Sequence, residues 1–176
     1  MQINLVQLLK APVGTRRKFE VESVVDIDGR GVGSVVLGGG SLIRTDRGIL
    51  VSGVLHTEVK VACSRCLMVF SYPLTLNIEE EYFPTVDAFS GTATPVPDEP
   101  GSFTINEQHV LDLTEAVRQY AILALPMKPL CRRECAGICA GCGHNLNLGL
   151  CDCLTPQVDP RWAALGGLTS EQEGKD

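Results

Sequence analysis

Residues 48–78 read GILVSGVLHTEVKVACSRCLMVFSYPLTLNI, and this stretch decides the fold. Val51, Leu55, Val59 and Val61 alternate with Ser52, His56, Glu58 and Lys60, which is the period-two pattern of a half-buried strand. Leu74, Leu76 and Ile78 alternate in the same way with Thr75, Asn77 and Glu79, and Pro73 marks an edge or a bulge. Cys63-Ser64-Arg65-Cys66 lies between the two runs, so the spacing places a pair of thiols at the tip of a hairpin.

Outward from this hairpin the same pattern recurs. Upstream, Phe19, Val21, Val25 and Ile27 share one face of a strand, with Glu20, Glu22 and Asp26 on the other. Asp28-Gly29-Arg30-Gly31 reads as a turn, residues 32–37 as a second strand, and Gly38-Gly39-Gly40-Ser41 as a loose connection. Residues 42–45 and 48–62 flank Asp46-Arg47, a hairpin turn closed by Gly48. Residues 3–10 are apolar but too short to separate a helical turn from a strand. Downstream, Pro84, Pro95, Pro97, Pro100, Gly91 and Gly101 stand among acids, so residues 84–103 are expected to form a solvated, mobile loop. Leu113, Ala116, Val117, Tyr120, Ala121 and Ala124 make the apolar stripe of a helix, with Asp112 and Glu115 as a capping box and Pro126 as its stop. Asp159-Pro160 is expected to open a short helix running through Trp162 to Gly166. The expected class is α+β. An antiparallel β-meander of about five strands packs with one main helix over residues 1–130. A small Cys-rich, zinc-stabilised C-terminal lobe follows over 131–168, and a frayed tail over 169–176.

The composition admits such a fold. The chain has 176 residues, 44% hydrophobic and 20% charged, with a mean hydropathy of +0.12. No run of about 18 apolar residues exists to span a membrane. The first ten residues lack the basic and apolar regions of a secretory signal, so a cytoplasmic location is expected. Net charge is −6, with residues 1–83 balanced and the acidic excess concentrated in 84–130 and 154–176. Any nucleic-acid-binding face must therefore be local.

Eight cysteines are the dominant chemical feature: Cys63, Cys66, Cys131, Cys135, Cys139, Cys142, Cys151 and Cys153. In a reducing compartment close cysteine pairs point to metal rather than to disulfides. Structural zinc takes four thiolates or imidazoles at tetrahedral corners, and a C-x2-C turn supplies two of them. Cys139-x2-Cys142 with Cys151-x-Cys153 makes a local set of four. Cys63-x2-Cys66 with Cys131-x3-Cys135 makes a second, non-local set. The competing arrangement is a ribbon-like site of Cys63 and Cys66 with Cys139 and Cys142. His144, two residues after Cys142, is a further candidate ligand.

Other chemistry finds less support. The spacing Cys135-x3-Cys139-x2-Cys142 matches the cluster motif of radical enzymes that use S-adenosylmethionine, but only 34 residues follow Cys142, too few for their barrel. An iron–sulfur cluster is compatible with the ligands. A redox role for Cys63 and Cys66 would favour a helix N-terminus, and strand patterns lie on both sides of this pair. His56 and His109 have no partner visible in sequence. No nucleophile elbow, phosphate loop, zinc-protease helix or paired-carboxylate pattern appears, so the chain is expected not to be an enzyme and to have no small-molecule substrate. Two short basic clusters remain: Arg16-Arg17-Lys18, and Lys128 with Arg132 and Arg133. They are candidate phosphate contacts on otherwise solvated surface, though the second could equally offset the charge of nearby thiolates.

The motifs now in hand resemble those of the bacterial YceD-like proteins in their Cys-rich form. The resemblance is carried by Cys63-Ser64-Arg65-Cys66-Leu67 and by Leu123-Ala124-Leu125-Pro126. It continues through Pro129-x-Cys131-x3-Cys135-x-Gly137-Ile138-Cys139-x2-Cys142-Gly143-x-Asn145-Leu146-Asn147, then Cys151-x-Cys153 and Asp159-Pro160-Arg161-Trp162. It implies a non-enzymatic factor for accumulation or processing of large-subunit ribosomal RNA. Its partner would be that RNA or a large-subunit pre-ribosomal particle, contacted directly or through a ribosomal protein. It supports one or two structural Zn2+ ions and transfers no RNA-contacting residue. The alternative is a zinc-structured protein-interaction adaptor without RNA contact, which the acidic balance favours.

Overall fold

Two of the runs that alternate in sequence become the longest strands of a single seven-stranded sheet. In the computed structural model, residues 1–27, 29, 31–97, 101–153 and 160–162 are described. The elements are β1 (Gln2–Asn4), α1 (Val6–Leu9), β2 (Arg16–Asp26), β3 (Gly33–Arg44), β4 (Ile49–Ala62), β5 (Val69–Pro84), β6 (Phe103–Ile105), β7 (Val110–Asp112) and α2 (Thr114–Ala124). A 3-10 turn follows at Pro160–Trp162. The sheet order is β1-β7-β6-β5-β4-β3-β2. No helix among the described residues is long and apolar enough to cross a membrane.

The α+β class fits this architecture, but the five-strand meander needs correction. β2 to β5 do form a meander, joined antiparallel in order. Three short strands then extend the sheet: β6 runs parallel to β5, β7 antiparallel to β6, and β1 antiparallel to β7. The sheet is therefore mixed. Segment 3–10, ambiguous in sequence, contributes to both a strand and a helical turn.

The glycine run is a second correction. Gly38, Gly39 and Gly40 sit inside the 12-residue β3 rather than in a connection, opposite Val21, Glu20 and Phe19 on one side and Leu55, Val54 and Gly53 on the other. A Cβ on Gly40 would lie 2.2 Å from the Ser52 carbonyl oxygen, and one on Gly39 2.5 Å from that of Phe19. The neighbouring backbones approach so closely that a side chain has no room, which is why residues that usually break strands are placed here.

The core follows the alternation. Val51, Leu55 and Val59 of β4 are buried, as are Leu74, Leu76, Ile78 and Tyr82 of β5, against Ala116, Val117 and Ala121 of α2. Thr57 is the buried polar residue of this face, and its hydroxyl donates to the Val35 carbonyl at 2.8 Å. The stripe of α2 ends sooner than the sequence suggests, because Ala124 is exposed. The expected capping box does not form: the cap position is Leu113, which makes no side-chain cap hydrogen bond, and Asp112, in β7, accepts instead from the Thr114 N–H at 2.9 Å. Glu115 turns instead to Arg118, at 2.8 and 2.9 Å.

The stretch 84–103 is more structured than a mobile loop. Residues 85–94 close as a small hairpin through Asp87 N–H to Thr92 O and Thr94 N–H to Thr85 O, both 2.9 Å. Asp87 organises its turn by accepting from the Phe89 and Ser90 N–H groups. Residues 98–100 lie outside the described residues, as do Asp28 and Arg30 of the first turn. So do Asp159 and Gly166, the expected ends of the last helix, and the tail expected over 169–176.

Two compact units are distinguished by their contacts. The first contains Met1–Val61 and Val69–Pro129; the second joins Ala62–Met68 to the described residues from Leu130 onward. The hairpin tip thus belongs with the cysteine-rich segment, not with the residues that precede and follow it.

Candidate metal centre

All eight cysteines are reduced, and their sulfurs gather as two quartets. Cys63, Cys66, Cys131 and Cys135 form quartet 1, and Cys139, Cys142, Cys151 and Cys153 form quartet 2. Within each, the sulfurs lie within 4.8 Å of one another. This is the division into a non-local and a local set, not the ribbon-like arrangement. It also parts Cys135 from Cys139 and Cys142, so the three cysteines of the radical-enzyme spacing do not share a site.

The distances suit a metal ion. Cys63 and Cys135 sulfurs are 3.8 Å apart, and those of Cys66 and Cys131 3.6 Å. A tetrahedron with metal–sulfur bonds near 2.3 Å has edges of about 3.8 Å, whereas a disulfide would bring sulfurs to about 2.05 Å. Four thiolates and no imidazole make a closed donor set that suits zinc or iron. His144 is exposed and stands outside both quartets.

Each quartet is built on the same turn. In the first, the Arg65 N–H points at the Cys63 sulfur at 3.5 Å and the Leu67 N–H donates to the Cys63 carbonyl at 3.0 Å. In the second, the Gly141 N–H points at the Cys139 sulfur at 3.4 Å and the Gly143 N–H donates to the Cys139 carbonyl at 2.9 Å. The residue after the second cysteine takes a left-handed backbone in both, at φ +60° for Leu67 and +74° for Gly143. Glycine adopts this conformation freely, and a leucine there is strained.

Backbone N–H groups aimed at a sulfur favour its thiolate. The Cys66 N–H, helped by those of Cys131 and Arg65 against the opposing effect of burial, holds the Cys63 thiol down at about 6. The Cys142 N–H, the Cys151 thiol and the Gly141 N–H hold Cys139 at about 6. Burial and the neighbouring Cys66 sulfur push Cys131 up to about 12. Hydrogen bonds to the Cys142 and Cys139 sulfurs push Cys153 to about 12. Without a cation, four sulfurs so close cannot all ionise; a bound dication removes that conflict by deprotonating its thiol ligands.

The ligand segment of quartet 1 is fastened by hydrogen bonds from residues outside the ligand set. Asn147 donates its amide to the Cys135 sulfur at 3.2 Å. Its carbonyl oxygen accepts from the Ala136 N–H at 2.9 Å and from the Arg132 guanidinium, whose Nε lies at 3.1 Å. Asn145 in turn accepts from the Asn147 amide at 2.7 Å. Arg65 donates to the Cys135 carbonyl at 3.0 Å. Asn147 lies in the loop between the two cysteine pairs of quartet 2 yet fastens the ligand segment of quartet 1, so the quartets share a support. Only the Asn145-Leu146-Asn147 string of the family resemblance hinted at it.

The basic clusters are dispersed by the fold. Arg16 and Lys18 share one face of β2 with Glu20 and Glu22, whereas Arg17 alternates to the face of Phe19 and Val21 and donates to the Asn4 carbonyl at 3.1 Å. Lys128 and Arg133 are exposed, and Arg132 is drawn to Asn147. Cys63 and Cys66 lie on a strand-to-strand turn. His56 stands on an exposed face beside the Thr75 hydroxyl at 3.2 Å.

The chain is thus a mixed β-sheet protein with a pair of four-cysteine clusters of the kind that holds structural metal. It belongs to the family of the large ribosomal RNA subunit accumulation protein YceD, whose defining pattern matches residues 51–169. Among relatives, an uncharacterised protein of Mycobacterium bovis is 26% identical over 178 residues, covering 94% of this chain and 79% of its own length. One from Mycobacterium leprae is 26% identical over 138 residues, covering 72% of this chain and 58% of its own. The chloroplastic "Large ribosomal RNA subunit accumulation protein YCED homolog 1" of Arabidopsis thaliana is 24% identical over 156 residues, covering 77% of this chain and 49% of that protein. No solved structure matches.

Proposed function

We propose that this protein is a non-enzymatic cytoplasmic factor for accumulation and processing of large-subunit ribosomal RNA, acting in ribosome assembly, with one structural Zn2+ in each quartet. The observation that carries this reading is the family match over residues 51–169. The tetrathiolate geometry supports the zinc. Such a site has no open coordination position, so the metal serves to hold the chain rather than to activate a substrate. It stabilises a unit whose described part contains few buried apolar side chains besides cysteines.

The partner is ribosomal RNA or a large-subunit precursor particle, met directly or through a ribosomal protein. Arg16, Arg17, Lys18, Lys128, Arg132 and Arg133 are the candidate RNA contacts. Because Arg132 is committed to Asn147, Lys128 and Arg133 are the better test residues. Sedimentation of tagged protein with ribosomal particles across a salt series checks the reading. Direct phosphate contact predicts association that weakens steeply as salt rises and weakens further in Lys128→Glu/Arg133→Glu. The net charge of −6 favours a second reading, a zinc-structured protein adaptor. Recovery of a protein partner after nuclease treatment, with no RNA-containing particle before it, would select the adaptor.

A further inference from the structure

β2 ends the sheet. Among the described residues no strand pairs with it on the side away from β3. It is 11 residues long, against three for β1 at the opposite edge. A long open edge carries a row of unpaired N–H and C=O groups and is a template for a further strand. Arg16, Lys18, Glu20 and Glu22 lie on one face of it, all exposed, and none forms an ion pair among the described residues.

The order of these charges is self-complementary. Two copies of β2 related by a two-fold axis can pair antiparallel only in registers where one residue faces its own copy. With Phe19 on the axis, Arg16 lies opposite Glu22 and Lys18 opposite Glu20, and symmetry repeats both pairs. All four charged pairs then attract, on the same face. Every neighbouring register sets like charges together. Centring on Lys18 or Glu20 opposes that residue to itself, centring on Arg17 opposes Arg16 to Lys18, and centring on Val21 opposes Glu20 to Glu22.

We propose that the edge of β2 is a docking site for a second copy of this chain. The two β2 strands add antiparallel about Phe19, so that the two sheets run into one. The backbone groups of the edge supply the hydrogen bonds, and the Arg16–Glu22 and Lys18–Glu20 pairs fix the register. Arg16 and Lys18 then face carboxylates of the other copy rather than phosphate, which separates this surface from the RNA contacts at Lys128 and Arg133.

Sedimentation of the full, metal-loaded chain at low salt over a concentration series tests the proposal. A contact this narrow belongs with weak interfaces, so a reversible dimer with a dissociation constant in the micromolar range or above is expected. Lys18→Glu and Glu20→Lys each turn two attractive pairs repulsive and should weaken the dimer roughly tenfold or more. Lys18→Glu/Glu20→Lys exchanges the charges and should restore the wild-type dimer to within about threefold. Both positions are exposed, and unchanged metal content with unchanged circular dichroism verifies folding. A chain monomeric up to about 0.3 mM, a dimer indifferent to both single changes, or a double exchange that fails to restore would each overturn the proposal.

Discussion

The two quartets have the same ligands and the same C-x2-C turn, yet they hold the chain in different ways. Quartet 1 joins residues 72 positions apart, and Cys63, Cys66 and Cys135 are buried at 0%, 6% and 3% exposure. Quartet 2 is drawn from one short stretch, and its Cys142 and Cys153 are exposed. The same coordination chemistry can therefore act as a long-range tie or as a local clasp, and chain separation decides which.

The comparison is broken most severely by removing one ligand from each quartet. Cys135→Ser and Cys153→Ser are each expected to lower zinc from two ions per chain to one, measured by mass spectrometry. Their stabilities should differ. If a metal cross-link is treated like a disulfide, closing 72 residues contributes about 4 kcal/mol, and closing a loop near a dozen residues about 3 kcal/mol. Denaturant unfolding should accordingly rank Cys135→Ser as the more damaging by about 1 kcal/mol or more. Equal losses would show that separation does not govern the difference.

Chelation sharpens the contrast in time. A strong zinc chelator added to loaded protein should release the metal in two phases of equal amplitude, the fast one from the exposed quartet. In Cys153→Ser only the slow phase should remain, followed with a zinc-sensitive dye. A single phase in the wild-type protein would count against independent sites.

Asn147 tests the shared support. Asn147→Ala removes the amide that meets the Cys135 sulfur, and loss of an outer-shell partner typically costs about 10–100-fold in metal affinity. The loss should fall on quartet 1 although the residue sits in the loop of quartet 2. Competition titration with a zinc buffer reads the two affinities, and a loss confined to quartet 2 would contradict the assignment.

The smallest effect concerns the turns themselves. Leu67 is 65% exposed with φ +60°, and Gly143 occupies the equivalent place with φ +74°. Leu67→Gly should relieve strain and stabilise by about 0.5–1 kcal/mol, while Gly143→Ala should destabilise by about 1 kcal/mol. Thermal unfolding with both zinc ions bound resolves the pair of opposite shifts.

These differences mark what the chain discloses in one dimension. The alternation around Val51 to Val61 and Leu74 to Ile78 exposes β4 and β5, because each is long enough for a period to repeat. β1, β6 and β7 have three residues each, shorter than any period can declare, and are fixed by pairing partners far away in sequence. Gly38 to Gly40 reads as a break because glycine weakens strands in general, and the crowding that requires it here exists only once β2 and β4 flank β3. Among the cysteines, spacing shows the pairs, but joining Cys63 to Cys135 depends on where the segment after α2 leads. The role of Asn147 is hidden for the same reason, although the residue itself stands in the motif string Asn145-Leu146-Asn147. An asparagine in a polar loop has no signature until a sulfur is placed beside it.

Quartet 1 also sets a schedule for the chain as it is made. Cys63 and Cys66 are synthesised 65 to 72 residues ahead of the partners they meet in the fold. At elongation rates of about 5–20 residues per second, they wait roughly 3 to 14 s with half a ligand set. A metal ion could complete that site only after β5, β6, β7 and α2 have all been translated, so its binding there would follow the making of those elements. Quartet 2, whose ligands follow one another within a second or so at the faster rate, has no such wait.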